Sequence, residues 1–401
     1  MRTTDFSEAA PGKLVPTIEG AQAFVPLPLP PEIELEKIAI AMANAMQAIG
    51  ELKGACRRLA NPYILVRPLQ RQEALTSSAM EGTFTTDDHL LLAEAGVDRQ
   101  KDESTTEVYN YLEALNECLE LLPHLPISHR MLRRAHEILL SGLSSSRGAQ
   151  KRPGEYKREQ NWIGGRTIDM ARYVPPPPKE TQRCMDELES YINRSDTAFP
   201  TPLIDLALVH YQLEAIHPFA DGNGRVGRML ISLMAVHSGL LEMPVLYISP
   251  VMERWKDEYI DLMFHVSAKG DWASWLNFFF DRVAESCSET VSTVDRLLAL
   301  QDEYRSIAGK LGRTSNAITL IDYLFERPAI TVNDAVEKLG VTYPAAKNTI
   351  DKLAEAGILA PLEGSYPKVY FAPTIMRVSR PIESSSDGSA SGETEPELPF
   401  E

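Results

Sequence analysis

His217-Pro218-Phe219-Ala220-Asp221-Gly222-Asn223-Gly224-Arg225-Val226-Gly227-Arg228 brings a proton acceptor, a carboxylate, two glycines around an amide, and two arginines into one short stretch. Leu203 to Ile216 ahead of it reads as an amphipathic helix and Val226 to His237 behind it as another, so the stretch forms the turn of a helix-loop-helix. Its glycines permit positive φ. The following helix presents unpaired N–H groups and a positive dipole end, so an oligophosphate bound there is held by backbone donors. His217 titrates near neutrality and is the candidate general base toward a hydroxyl nucleophile. Asp221 is a hard oxygen ligand suited to Mg2+ carried in by phosphates. Asn223 and the N–H groups of Gly222 and Gly224 can surround an anionic phosphorus centre. Arg225 and Arg228, three apart on the helix, are both expected to face the loop as forked phosphate donors, with Val226 and Gly227 completing the phosphate-binding turn. A bare glycine-rich interhelical turn needs neither the histidine nor the arginine pair.

The string fits HPFxDGNGRxxR at every fixed position and resembles the Fic (Fido) signature. That resemblance implies a protein adenylyltransferase, which moves the AMP of ATP onto a Ser, Thr or Tyr hydroxyl of a target protein with Mg2+ and releases pyrophosphate. It implies His217 as base, Asp221 as Mg2+ ligand, Asn223 with the two glycines as anion cradle, Arg225 and Arg228 as phosphate ligands, and Phe219 in the core beneath the loop. The related Doc toxins transfer phosphate and depart from the string at its second glycine. Gly224 is present here, which favours AMP transfer.

Two further segments extend the resemblance. Ser77-Ser78-Ala79-Met80-Glu81-Gly82 fits (S/T)xxxE(G/N), similar to the inhibitory helix of self-inhibited Fic proteins, and implies a forked pair between Glu81 and Arg228 where the γ-phosphate binds. On structural grounds alone the same residues read as a helix C-terminus capped by Gly82. Ile163, Gly164 and Gly165 with Arg172, Tyr173 and Val174 resemble the Fic flap, a β-hairpin that holds the target peptide by main-chain pairing, with Arg166 to Met170 as its turn. Tyr259 is expected to wall an adenine pocket, and His210 reads as a core histidine. His136 and the remaining histidines show no metal-ligand spacing and receive no role.

The fold class expected is mainly α: a Fic helical fold with a β-hairpin flap, plus a C-terminal winged-helix-like domain. Net charge of −16 disfavours general polyanion binding. No apolar run is long enough for a membrane span, the N-terminus lacks a signal-peptide pattern, and Cys56, Cys118, Cys184 and Cys287 are isolated, so a cytoplasmic location with reduced thiols and no membrane is expected. The organisation read from breaks in periodicity is 1–30 extended, 31–126 helical with the inhibitory helix, 127–282 catalytic, 283–313 a linking helix that continues outward, 314–372 winged-helix-like, and 380–401 a disordered acidic tail. In the winged-helix-like part, Lys347 and Lys352 are balanced by Asp351 and Glu355, so protein contact or a homodimer is favoured over DNA binding. The principal partner expected is a target protein presenting an acceptor hydroxyl. Two other readings stay open: a hydrolase that removes AMP from a modified protein, with Glu81 positioning water, and a winged-helix regulator whose Fic body only senses nucleotide.

Overall fold

The structure, a computed structural model, describes residues 1–59, 63–94, 102–144, 146–310, 315–362 and 365–379. The expected tail at 380–401 lies outside them. The chain opens on a β-hairpin, β1 (Gly12–Pro16) and β2 (Gln22–Pro26), paired in register Leu14 to Phe24. The sequence reading had this stretch as a plain extended segment. Its turn is closed by Thr17 N to Ala21 O at 2.8 Å and uses Gly20 at φ +85°. A Cβ on Gly12 would sit 2.3 Å from the Phe24 ring, so the hairpin needs glycine there.

Helices α1 (Leu35–Cys56), α2 (Tyr63–Met80), α3 (Asp87–Glu94), α4 (Glu103–Leu121) and α5 (His129–Leu139) follow, then α6 (Pro178–Ile192) and the pair α7 (Pro202–Ile216) and α8 (Asn223–His237). Pro178 starts α6 at a position where its missing N–H costs nothing. From Leu203 to Ile216 every residue of α7 except Asp205 is buried, so the helix lacks the exposed face expected of an amphipathic one and is enclosed by α6, α8, α10, α11 and β2, with His210, Gln212 and Glu214 buried among apolar residues. After α8 the chain passes through Val245 to Ile248, which carry no strand, into two short helices, α9 (Ser249–Arg254) and α10 (Lys256–Lys269). Helix α11 (Trp272–Lys310) runs straight through residue 282 and lies along α1. The expected linking helix is therefore its second half, packed on the body instead of leading outward.

The C-terminal part comprises α12 (Ser315–Glu326), β3 (Ala329–Thr331), α13 (Val332–Leu339), α14 (Tyr343–Glu355), β4 (Ala360–Pro361), β5 (Val369–Phe371) and α15 (Pro373–Ser379). Its antiparallel sheet has order β3-β5-β4. Thr331 and Asp334 form a capping box at the start of α13, and Gly340 ends that helix in the left-handed conformation. One apolar core runs from Phe24 through the motif helices to Ile375. Helix α2 lies inside it, between α4, α8 and α9 on one side and α12 on the other.

Candidate active site

Helix α7 ends at His217, whose φ of 48° and ψ of 60° put a non-glycine residue in the left-handed region. Such a conformation costs of order 1–3 kcal/mol and persists only where the surroundings fix it. Beneath it, Phe219 is fully buried and stacks on His136 of α5, with ring centroids 4.0 Å apart. His136 Nε2 lies 3.0 Å from Asp221 O, and its Nδ1 accepts from Gly154 N at 2.9 Å. Asn223 closes the loop from inside: Phe219 N donates to its Oδ1 at 2.8 Å, and its Nδ2 donates to Phe219 O at 3.0 Å. The side chain expected to face an anion is thus spent on the loop itself. Gly222 in the left-handed region starts α8, and the first helical bond is Val226 N to Gly222 O at 3.1 Å. The amides of Asn223, Gly224 and Arg225 precede that bond and form the positive helix end.

A cavity of about 260 Å³ opens beside this loop. His217, Gly224, Arg228, Glu81, Tyr259 and Glu214 line its polar side, and Ile163, Tyr173, Met263 and Phe264 line its apolar side. The Arg228 guanidinium is held by α2, with Nε donating to Ser77 Oγ at 2.8 Å and Nη2 donating to Ser77 O at 2.7 Å and to Glu81 Oε1 at 2.8 Å. The pair read from sequence is therefore formed, and Ser77, first residue of that motif, shares in it. Burial is the largest single influence and pushes the Glu81 carboxyl up, but the charge and hydrogen bond of Arg228 with the charges of Arg225 and His217 together outweigh it and leave the group below its ordinary value. Gly224 makes room for the pair, since a Cβ there would fall 2.2 Å from Glu81 Oε1.

Burial, then the Lys157 charge, push His217 down to about 4, so its imidazole is neutral at pH 7 and able to accept a proton. Glu214, whose carboxylate lies 3.9 Å from His217 Nδ1, is pushed up to about 7 by burial. His210 does not touch His217. Its Nδ1 bonds Gly227 O at 3.1 Å and its Nε2 bonds Tyr259 OH at 2.9 Å; because the carbonyl can only accept, the proton sits on Nδ1 and the tyrosine donates. Tyr259 is thus fixed in the cavity wall.

Three expected phosphate-binding residues face elsewhere. Arg225 is 2% exposed and donates through Nη1 to Glu107 on α4, the strongest opposite charge in its reach, so helical spacing alone did not aim it at the cavity. Val226 points into the core. Gly227 gives space to Glu214, whose Oε1 would lie 2.1 Å from a Cβ there. Asp221 is half-exposed, with Oδ1 accepting from Gly222 N at 2.6 Å and lying 3.7 Å from Arg225 Nη2. Among the described residues no cluster of three metal-ligating side chains occurs, and Asp221 stands outside the cavity lining as a half-exposed carboxylate, which suits an ion that keeps phosphate and water ligands.

The flap departs from a regular hairpin. Ile163 and Tyr173 form a single antiparallel bridge, Gly164 and Gly165 turn at φ +72° and +79°, and the expected turn contains a 3-10 segment at Ile168–Met170. Arg172 is drawn to Asp261 at 2.5 Å, and Val174 O accepts from Phe24 N at 2.8 Å, so the N-terminal hairpin supports the flap. Lys256, which sequence reasoning passed over, donates to Met80 O at 2.6 Å and ties α10 to the end of α2. Glu73, fully buried, accepts from Ser249 N at 3.0 Å and from Tyr111 OH at 3.2 Å, fixing α2 further back. Neither residue carries a local sequence signal, since each partner lies far away along the chain.

Residues 39–120 match the family description Fic/DOC family N-terminal, and residues 126–235 match Fic/DOC family. The chain thus carries a Fic/DOC family N-terminal region and a Fic/DOC family domain over these residues. A protein adenylyltransferase Fic of Aedes aegypti is 31% identical over 128 residues, which cover 32% of this chain and 23% of that protein. The same-named protein of Drosophila sechellia is 26% identical over 197 residues, 49% of this chain and 37% of that protein. The chain thus spans well under half the length of these curated relatives. A Fic family protein from Desulfovibrio desulfuricans G20 superposes with a TM-score of 0.56 at 20% identity, covering 86% of this chain and 98% of that one. The Fic fold accordingly extends over most of the described residues. No helix among them is long and apolar enough to cross a membrane.

Proposed function

We propose that the protein transfers AMP from ATP to a hydroxyl of a target protein and that Glu81 restrains this reaction. The observation that carries the reading is one cavity wall holding the neutral His217, the helix end at Gly224, and Arg228 already occupied by Glu81. In the reaction His217 takes the proton of the incoming hydroxyl, whose oxygen bonds to the α-phosphorus while the α–β bridging bond breaks and pyrophosphate leaves. The amides at the start of α8 face the phosphate charge, and Arg228 binds it once Glu81 withdraws. Tyr259, Met263 and Phe264 supply the flat apolar wall an adenine needs. Asp221 would hold Mg2+, which neutralises phosphate charge when bound. Ile163 pairs its own N–H and C=O with Tyr173 and Arg172, which leaves Gly164 and Gly165 beside it to offer main chain to the target. Arg225, through Glu107, holds the loop and does not bind phosphate. We read the C-terminal helices and β3-β5-β4 sheet as a winged-helix unit for protein contact.

Incubation with α-labelled and γ-labelled ATP in turn, using Glu81→Gly protein and a lysate, tests the reading. Label should enter protein from the α-position alone. Transfer of γ-label would make the protein a kinase, and no transfer by a variant that binds ATP would reject the reading. One observation supports a second use of the site: Glu81 and His217 line the same cavity, as hydrolysis of an AMP-protein bond requires. Wild-type protein clearing AMP from a labelled target, where Glu81→Gly does not, would establish it.

A further inference from the structure

Five consecutive carbonyls, from Ala215 to Phe219, pass from the end of α7 into the motif loop, where helix bonds no longer serve them. All five are taken by donors, chiefly from the segment before the flap. Tyr173 OH donates to Ala215 O at 2.8 Å, Lys157 Nζ to Ile216 O at 3.2 Å, Asn161 Nδ2 to His217 O at 3.1 Å, and Lys157 N to Pro218 O at 2.8 Å. Phe219 O receives both Asn161 Nδ2 and Asn223 Nδ2 at 3.0 Å. Lys157 and Asn161 are joined to each other, Nζ to Oδ1 at 2.8 Å.

Lys157 is an unusual choice for this place. It is 5% exposed, and its recorded partners are an amide oxygen and a carbonyl oxygen, with no carboxylate among the described residues. Burying an ammonium so weakly compensated is costly, and an apolar side chain of the same length would pack there without that cost. The charge and the donors must therefore serve the loop. Asn161 likewise uses all of its amide on loop main chain and on Lys157, and it adjoins Trp162 and Ile163 of the flap.

We propose that Lys157 and Asn161 are positioning residues for His217, holding its backbone in the left-handed turn that aims the imidazole into the cavity. The proposal rests on the AMP-transfer reading for its consequence in rate, but not for its geometry. The charged groups facing His217 are Lys157 and the carboxylates of Glu214, Glu81 and Asp221. Burial, then Lys157, lower the imidazole's affinity for a proton, and Glu81, the Glu214 main chain and Asp221 raise it. Burial brings Lys157 itself down to about 7. Removing Lys157 removes one of the two lowering influences and loosens the turn, and both changes move the His217 titration upward.

The test is a pH titration of the His217 ring by NMR, assigned by its loss in His217→Ala, with AMP transfer and nucleotide Kd measured in the Glu81→Gly background. Lys157→Met should raise the titration midpoint by about one pH unit, while Lys157→Arg, keeping cation and donors, should stay with the parent. Lys157→Met and Asn161→Ala should each lower kcat by about tenfold to hundredfold with Kd changed less than about twofold. Asn161→Ala keeps Lys157 bound to Ile216 O and so serves even if Lys157→Met does not fold. An unmoved His217 midpoint in Lys157→Met, or a rate that falls only in step with nucleotide affinity, would overturn the proposal. Should Glu81→Gly protein transfer no AMP at all, the proposed reaction fails, and the ring titration still decides the positioning.

Discussion

His217 combines a left-handed backbone, a neutral ring and an open side toward the cavity, and each has a separate cause: the donors from Lys157 and Asn161, burial, and the end of α7. On the proposed reaction, in which the ring acts on the hydroxyl and not on the nucleotide, His217→Ala should lower AMP transfer by about a hundredfold or more while leaving ATP affinity nearly unchanged. Label transfer and calorimetric titration with ATP check both halves, and a variant keeping most of its rate would remove the base assignment. The two arginines were alike in sequence and differ in space. Arg228 meets Ser77 and Glu81 at the cavity, whereas Arg225 meets Glu107 in the interior. Glu107→Ala should therefore cost about 3–5 kcal/mol in chemical denaturation, because it strands a buried guanidinium. A loss under about 1 kcal/mol would mean that Arg225 is not held by that pair. The motif string announced both residue types; their separation depended on a carboxylate far upstream on α4, which no local spacing reveals.

Elements decide how the loop is held. Helix α5 reaches it through His136, which stacks on Phe219 and bonds Asp221 O and Gly154 N. Burial pushes His136 down to about 4. A depressed histidine takes up its proton in the unfolded chain first, so its contribution to stability is full above about pH 6.5 and is lost as pH falls toward 4. His136→Gln should flatten the fall in unfolding free energy over that window by about 3 kcal/mol relative to wild type, read from urea melts at several pH values. Equal slopes would show that His136 takes up its proton as readily in the folded as in the unfolded chain. Most helices were legible because their apolar periodicity is long, and the order of motif helices followed directly. The hairpin at Gly12 to Pro26 was not, because its strands are short and bounded by proline, and it is stabilised by packing of Phe24 on Tyr173 that sequence cannot display. The flap, expected as a β-hairpin turning over Arg166 to Met170, forms one bridge instead of a ladder.

At the scale of the whole molecule, the pair that restrains Arg228 belongs to a helix fixed on all sides. Glu73 ties α2 to Ser249 and Tyr111, Lys256 ties its last carbonyl to α10, and α12 of the C-terminal part closes the far face. Sequence gave the ends of this arrangement, the (S/T)xxxE(G/N) segment and the motif loop, without the intervening core that joins them across 147 positions of chain. Because Glu81 supplies the carboxylate partner while Ser77 keeps its own two bonds to Arg228, and the helix behind is anchored elsewhere, Glu81→Gly should bare the guanidinium toward the cavity without unfolding α2. It should cost modest stability, regained with Mg-ATP. The most direct measurement is the rate of α-labelled AMP incorporation into protein, including self-modification, by wild type, Glu81→Gly and Arg228→Ala side by side. Glu81→Gly should exceed wild type by about tenfold or more and Arg228→Ala should fall below it, because that change deletes the phosphate ligand together with the brake. Equal rates for wild type and Glu81→Gly, with ATP bound by both, would contradict the account.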